Sequence, residues 1–124
     1  MKLEDMDVFK IGHEFTLAIY RITTNFPDHE RYGLTSQMRR AAVSVCSNLT
    51  EGYHRAGKAE FRNFVNIARG SCGELQYQLM LAKDLEYINN SDWSGLNGKS
   101  ERLKKMLRSL YTSLAERSTQ HVAP

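Results

Sequence analysis

The chain has 124 residues, 41% hydrophobic and 25% charged, with a formal net charge of +3 at pH 7. This balance is typical of a single soluble globular domain, here residues 1–124, that is large enough to bury a core. No apolar run approaches the roughly 20 residues of a membrane span, and the N-terminus has no apolar leader segment. We therefore expect a cytoplasmic protein without a membrane partner.

Helix 1 is predicted over about residues 7–24. Its apolar residues recur every three or four positions, the spacing of an amphipathic helix; they are Val8, Ile11, Phe15, Ile19, Ile22 and Phe26. Pro27 cannot continue a helix, so the stretch around it is expected to connect helix 1 to helix 2.

Helix 2 is predicted over about residues 30–55, although Gly33 leaves open whether it begins at Glu30 or only at Thr35. One of its stripes is an ordinary core seam, made of Leu34, Met38, Ala41, Val45 and Leu49. Apolar residues also occupy a far flank where a solvated helix should be polar, so we expect an oligomer interface at Ala42, Val43 and Cys46.

Helices 3 and 4 are predicted over about residues 58–87 and 91–116, with Ser91 as N-cap of helix 4 and residues 118–124 as a frayed tail. Helix 3 repeats apolar residues at the 4-3 spacing of a supercoiled bundle; they are Phe61, Val65, Ala68, Cys72, Leu75, Leu79 and Ala82. Gly70 and Gly73 indicate either a closely packed neighbouring helix or two tolerated weak positions. The short turns predict an all-α, up-down-up-down antiparallel four-helix bundle.

A stripe of polar residues follows the core seam of helix 2, and a second polar group lies beside the apolar arc of helix 3. We call these eight residues the polar seam: Gln37, Arg40, Ser44, Asn48, Glu51, Ser71, Glu74 and Gln78. A half-buried polar network fixes register and partner choice in a bundle, and Glu74 is expected to pair with Arg40. A catalytic Glu–Arg pair is the functional alternative.

A row of basic residues runs along one flank of helix 3 from the turn before it, with Gln76 completing the seven-residue spacing. The row consists of Arg55, Lys58, Arg62, Arg69 and Lys83, and no acidic residue interrupts it in sequence register. Helix 4 adds Lys99, Arg102, Lys104, Lys105 and Arg108. Such a row is either a solvated face or a track for nucleic-acid phosphates, which requires closely spaced cations.

Motifs for catalysis are absent from the sequence. There is no P-loop, GxGxxG, GxSxG, HExxH or CxxC, and the four histidines are scattered. Cys46 and Cys72 are expected to be free, packed thiols rather than nucleophiles. We therefore expect a protein that is not an enzyme and holds no metal or cofactor.

Two stretches carry a family resemblance: ERYGLTSQMRRAAVSVCSNLTEGY from Glu30 to Tyr53, and FRNFVNIARGSCGELQYQLMLAKDL from Phe61 to Leu85. They resemble the small four-helix-bundle proteins encoded by intervening sequences of bacterial 23S ribosomal RNA genes. The chain departs from that family at Cys46, where the family has Pro, and at Thr50, where it has Ala. Whether helix 2 bends at Cys46 is thus open, because only Pro would remove the backbone donor there.

The resemblance implies a homopentamer in which five bundles form a barrel. It also implies a relation to the accessory proteins of diversity-generating retroelements, which bind nucleic acid and assist a reverse transcriptase. The expected partners are therefore further copies of the chain, RNA or another nucleic acid, and a protein such as a reverse transcriptase. Two functions stay open: non-specific RNA binding through the basic flank of helix 3, and an oligomeric interaction scaffold without nucleic-acid binding.

Overall fold

The computed structural model describes residues 2–122, and the side chains of residues 2–115. Its helices are α1 (Asp7–Thr23), α2 (Leu34–Tyr53), α3 (Lys58–Asp84) and α4 (Asn90–Val122). Short 3-10 turns at Leu3–Asp5 and Asp28–Glu30 precede α1 and α2. Residues 2–122 contain no strand. A helix capable of spanning a membrane is also absent from this part of the chain. The predicted all-α class is confirmed.

Packing between consecutive helices builds the bundle. α3 packs most extensively, against α2 on one side and α4 on the other, and α1 packs against both α2 and α4. The connections at residues 54–57 and 85–89 are short, which makes the helices they join antiparallel neighbours. The four helices therefore form a closed, up-down-up-down arrangement around one core.

The core contains the apolar seams that the helical spacing predicts. Every member of the α3 repeat is fully buried except Phe61, which packs against the edge of the core. The other three helices also contribute side chains that expose at most 2% of their surface: Phe15 and Ile19 of α1, Met38 of α2 and Leu103 of α4. Burial of this kind is the main favourable term in folding, at about 25 cal/mol per Å² of apolar surface.

The N-terminus of α2 lies between its two predicted positions. Gly33 has non-helical backbone angles, and the Glu30 carboxylate oxygen Oε1 accepts a hydrogen bond from the Leu34 N–H at 3.1 Å. The side chain of Glu30 therefore satisfies one of the free donors of the helix from outside it. From Leu34 the helix runs without interruption through Cys46, which keeps the backbone donor that Pro would lack.

α3 ends at Asp84, three residues earlier than predicted. Glu86 adopts a left-handed conformation with φ of 64°, and the Tyr87 N–H donates to the Ala82 carbonyl at 2.9 Å. The Glu86 N–H likewise donates to the Lys83 carbonyl at 2.9 Å. These two bonds are the Schellman arrangement that terminates many helices, although Gly usually occupies the left-handed position.

Both ends of α4 differ from the prediction. Its N-cap is Asn89, whose side-chain oxygen accepts the Asp92 N–H at 2.7 Å, rather than Ser91. The helix continues to Val122 because no Gly or Pro follows Gly98 before Pro124. The helix thus extends past its predicted end near residue 116, while residues 123 and 124 of the predicted frayed tail lie outside the described part.

Candidate nucleic-acid interface

Three basic residues of the predicted row lie along the border between α3 and α4. The guanidinium carbon of Arg62 is 3.8 Å from the ring centroid of Tyr111 on α4, and that of Arg69 is 4.7 Å from the same ring. The Lys83 Nζ lies 4.2 Å from the ring centroid of Trp93, also on α4. Cations are attracted to the faces of aromatic rings, so α4 holds these charges at fixed positions.

Arg62 packs between α3 and α4, whereas the sequence predicted that it would only contribute charge to a surface row. It is half-buried, and its Nε donates a hydrogen bond to the Tyr111 carbonyl at 3.4 Å. Together with the ring contact, this bond ties α3 to α4. Replacing Arg62 should therefore lower stability as well as charge, by about 0.5–1 kcal/mol for the cation–π contact.

Acidic groups do reach the row, which corrects the expectation that none interrupts it. Arg55 forms an ion pair with Glu51 at 2.6 Å, and Lys83 lies 3.9 Å from the carboxylate of Asp84. α4 supplies a third acid, because Gln76 donates to Glu101 at 2.9 Å. Of the row, Lys58 is exposed and has no carboxylate within salt-bridge distance among the described side chains.

The middle of the border opens into a basic cleft with a volume of about 530 Å³. We define the basic cleft by its five lining residues, which come from both helices: Asn66, Arg69, Gly70, Lys104 and Arg108. Arg69 is oriented by Asn66, whose Oδ1 accepts from Arg69 Nη1 at 3.4 Å. No carboxylate among the described side chains lies within 4 Å of the three cations.

The sequence did not single out Asn66, Gly70 or Tyr111 as part of a site. The sequence did contain a signal for Tyr111. It follows Lys104 and Arg108 on α4 at spacings of four and three residues. That spacing places them on one stripe of a helix. Which stripe of α4 meets which flank of α3 depends on tertiary packing, and helical spacing alone does not contain that information.

The polar seam is assembled in part. Ser44 and Ser71 join α2 to α3 through a hydroxyl–hydroxyl hydrogen bond of 2.8 Å, and Asn48 donates to the Ser44 carbonyl at 2.8 Å. A cleft of about 300 Å³ opens beside them, lined by Gln37, Arg40, Ala41, Ser44, Ser71 and Glu74. The seam thus links the two long central helices along their open border.

The expected ion pair between Glu74 and Arg40 is not formed. Both side chains line that cleft, but they are exposed, and no ion pair joins them among the described residues. Glu74 instead accepts a hydrogen bond from Gln78 Nε2 at 3.2 Å, and only Gln78 is buried. Because both charged groups keep their hydration, removing the Glu74 carboxylate should change the stability of the fold only slightly.

The predicted oligomer interface on α2 needs correction at two of its residues. Ala42 is only 1% exposed, because α1 covers it and Thr16 donates to its carbonyl at 3.2 Å. The Cys46 Sγ contacts the Phe9 carbonyl of α1 at 3.6 Å. Val43 is the one member of the predicted flank that stays exposed, at 41%. The spacing of apolar residues within α2 does not reveal where α1 packs, and so it does not distinguish a flank covered by α1 from an outer surface.

The two thiols are free, and burial raises the pKa of both Cys46 and Cys72 to about 11. Nucleophilic and metal-binding cysteines act as thiolates, which a raised pKa disfavours at neutral pH. Among the described residues, no three His, Cys, Asp or Glu side chains cluster closely enough to bind a metal ion.

Comparison with known proteins gives a family and a structural relative. A solved crystal structure of a protein with unknown function from the S23 ribosomal protein family of Bacteroides thetaiotaomicron superposes with a TM-score of 0.75. The two chains share 27% sequence identity over 84% of this chain and 97% of the other. No curated protein matches this chain. A family model described as 23S rRNA-intervening sequence protein matches residues 4–109, and the chain therefore belongs to that family.

Proposed function

We propose that this protein is a non-enzymatic, cytoplasmic homo-oligomer that binds RNA through its phosphates, without strong sequence preference. The border between α3 and α4 supplies the binding surface. Five subunits is the number that the family resemblance implies. Assembly would repeat the basic surface around the oligomer, so that the modest charge of one chain becomes a strong field.

The observation that carries the proposal is the charge of this border. Residues 99–108 of α4 contain five basic side chains and one acidic one. Two of them, Lys104 and Arg108, line the basic cleft together with Arg69 of α3. The ring of Tyr111 holds the guanidinium groups of Arg62 and Arg69 in place. Phosphate contacts need cations at suitable spacing and no groups that read base edges. The surface therefore suits a nucleic-acid backbone and predicts little discrimination among sequences.

A protein-interaction scaffold is the alternative, and exposed apolar side chains favour it. Val43, Ile67 and Tyr77 are between 41% and 58% exposed, although their burial against a protein would be favourable. In that case the basic border would serve solubility only. A protein partner such as a reverse transcriptase belongs to this alternative and is compatible with RNA binding on another face.

The test is the salt dependence of binding to several unrelated RNAs, measured by fluorescence anisotropy. We expect affinity to fall with salt at a log–log slope of about −0.7 per neutralised phosphate on a single strand. Arg62→Gln combined with Arg69→Gln should weaken binding to all sequences alike and flatten the slope. Arg21→Gln combined with Arg31→Gln removes the same charge from exposed positions off this border, and it should leave the slope unchanged.

The proposal fails if the parent protein binds no RNA at low salt, and the scaffold function then becomes the better explanation. It also fails if both double variants flatten the slope equally, because binding would then reflect net charge alone. Since Arg62 packs on Tyr111, thermal unfolding of each variant must accompany the binding curves. A variant that remains folded at the assay temperature gives an interpretable result.

A further inference from the structure

The basic cleft concentrates three cations, none of which forms an ion pair with a carboxylate among the described side chains. Arg69 forms one wall on α3, while Lys104 and Arg108 form the other wall on α4. None of them lies within salt-bridge distance of an acidic group among the described side chains. Like charges held around one cleft repel each other, and an anion placed between them relieves that repulsion.

The lining of the cleft indicates what kind of anion fits. Besides the three cations it consists of the Asn66 amide and of Gly70, with no aromatic or aliphatic side chain. The Arg69 guanidinium is positioned from two sides, by the ring of Tyr111 and by the Asn66 oxygen. A planar guanidinium held in this way can donate two parallel hydrogen bonds to phosphate oxygens. Gly70 leaves open space on the α3 side of the cleft, since a Cβ there would meet nothing within 4 Å.

We propose that the basic cleft binds a phosphodiester group of a single-stranded nucleic acid, with Arg69 on one side of the phosphate and Lys104 and Arg108 on the other. This proposal rests on the proposed RNA-binding function and names the site and the form of the strand. The axes of packed helices lie only about 8–10 Å apart, so the cleft between α3 and α4 is too narrow for a duplex to enter. A single strand is thin enough to place one phosphate in it. A duplex would lie across the rim and meet the outer cations of α4 instead.

Two variants with equal net charge separate the cleft from the rest of α4. Lys104→Gln with Arg108→Gln removes two cations of the cleft, whereas Arg102→Gln with Lys105→Gln removes two exposed cations that do not line it. The probe is a fluorescent oligouridine strand at several salt concentrations. We expect the first pair to weaken binding about tenfold or more and to reduce the salt slope by about 0.7 for each lost phosphate contact.

The second pair should retain most of the affinity and the slope of the parent. A third variant, Lys104→Arg with Arg108→Lys, keeps both charges and should bind as the parent does. Because all these side chains are exposed, each variant should remain folded. Unlabelled competitors then identify the ligand: the oligouridine strand should compete better than its duplex with oligoadenine, and better than inorganic tripolyphosphate.

Each contrary outcome has a separate meaning. Equal loss in the two charge-matched pairs would overturn the cleft as the site while leaving RNA binding intact. Equal competition by the duplex would overturn the single-strand assignment, and equal competition by tripolyphosphate would overturn the phosphodiester assignment. Failure of the parent to bind any RNA would overturn the proposed function, and this proposal with it.

Discussion

Glu30 connects three parts of the chain through one carboxylate. Its Oε1 accepts the Leu34 N–H at the start of α2, and its Oε2 accepts the Tyr87 hydroxyl at 2.8 Å from the turn after α3. A Cβ at Gly33 would lie 2.7 Å from Oε1, so a larger residue there would displace the carboxylate. The hydrogen bond from Leu34, and then that from Tyr87, lower the pKa of Glu30 below its ordinary 4.5.

We predict that this carboxylate makes stability depend on pH in the acid range. Because the pKa of Glu30 is lowered on folding, its contribution is full above the unfolded pKa and is lost as pH falls through the folded pKa. Glu30→Gln should therefore flatten the decline of the melting temperature below about pH 4.5. Tyr87→Phe removes only the second-ranked hydrogen bond and should flatten the decline less. Thermal unfolding across pH checks this order, and identical profiles for parent and Glu30→Gln would contradict it.

At the scale of the helices, one glycine of α2 lies where α2 and α3 approach closely, whereas two glycines of α3 face open space. A Cβ at Gly52 of α2 would lie 2.6 Å from the Phe64 Cβ and 2.9 Å from a ring carbon of Phe61, both on α3. A Cβ at Gly70 or Gly73 of α3 would meet nothing within 4 Å in the same chain. The close approach that the sequence suggested at Gly70 and Gly73 therefore does not occur within the chain, and it occurs at Gly52 instead.

Replacing glycine by alanine should thus have opposite effects on stability at a crowded position, Gly52, and at an open one, Gly98. Gly52→Ala should destabilise the protein by about 1–3 kcal/mol, because the backbone of α3 cannot move away without disturbing the core. Gly98→Ala, at an exposed position of α4 with open space around it, should stabilise by up to about 1 kcal/mol through helix propensity. Urea unfolding measures both values. A stabilising Gly52→Ala would show that α2 and α3 are not packed as described.

Much of the fold could be predicted from the spacing of apolar residues, because each helix buries one stripe and the turns are short. The helix ends were less predictable where a residue just outside the helix decides them. Glu30 reaches forward to cap α2, and Glu86 ends α3 by adopting a conformation that its residue type disfavours. The spacing of apolar residues within either helix does not indicate these conformations.

The candidate site was predictable only as a row on one helix. The spacing of α3 placed Arg62 and Arg69 on a common flank, and the structure brings both to the same ring of Tyr111. The other wall of the basic cleft and the covering of Ala42 by α1 depend on how helices pair. Pairing is a property of the assembled core, and the periodicity of a single helix does not determine it.

For the whole molecule, the part of the chain whose side chains are described leaves large apolar residues exposed on different helices. We define the α1/α2 face by Leu17, Tyr20 and Val43, which are 40–42% exposed, and the α3 outer face by Ile67, Tyr77 and Met80, which are 44–58% exposed. Among the exposed residues of α3 between 63 and 80, Glu74 is the one charged side chain. Two different surfaces per subunit suit a head-to-tail contact rather than a two-fold dimer, and such a contact gives a ring when the rotation between subunits closes.

We predict that the α1/α2 face of one subunit binds the α3 outer face of the next. Val43→Glu and Tyr77→Glu should each fold, since both side chains are exposed in the single chain. Each should nevertheless abolish the oligomer by placing an unpaired charge in the contact. Multi-angle light scattering should then find a homo-oligomer for the parent, with five subunits expected, and monomers for either variant alone.

Mixing the two variants tests the head-to-tail geometry itself. Val43→Glu retains an intact α3 outer face, and Tyr77→Glu retains an intact α1/α2 face. One complementary contact is therefore possible between them, and an equimolar mixture should give a heterodimer that cannot grow further. If the mixture stays monomeric, these two faces are not partners. If the unmodified protein is itself a monomer at micromolar concentration, the predicted contact between subunits is wrong.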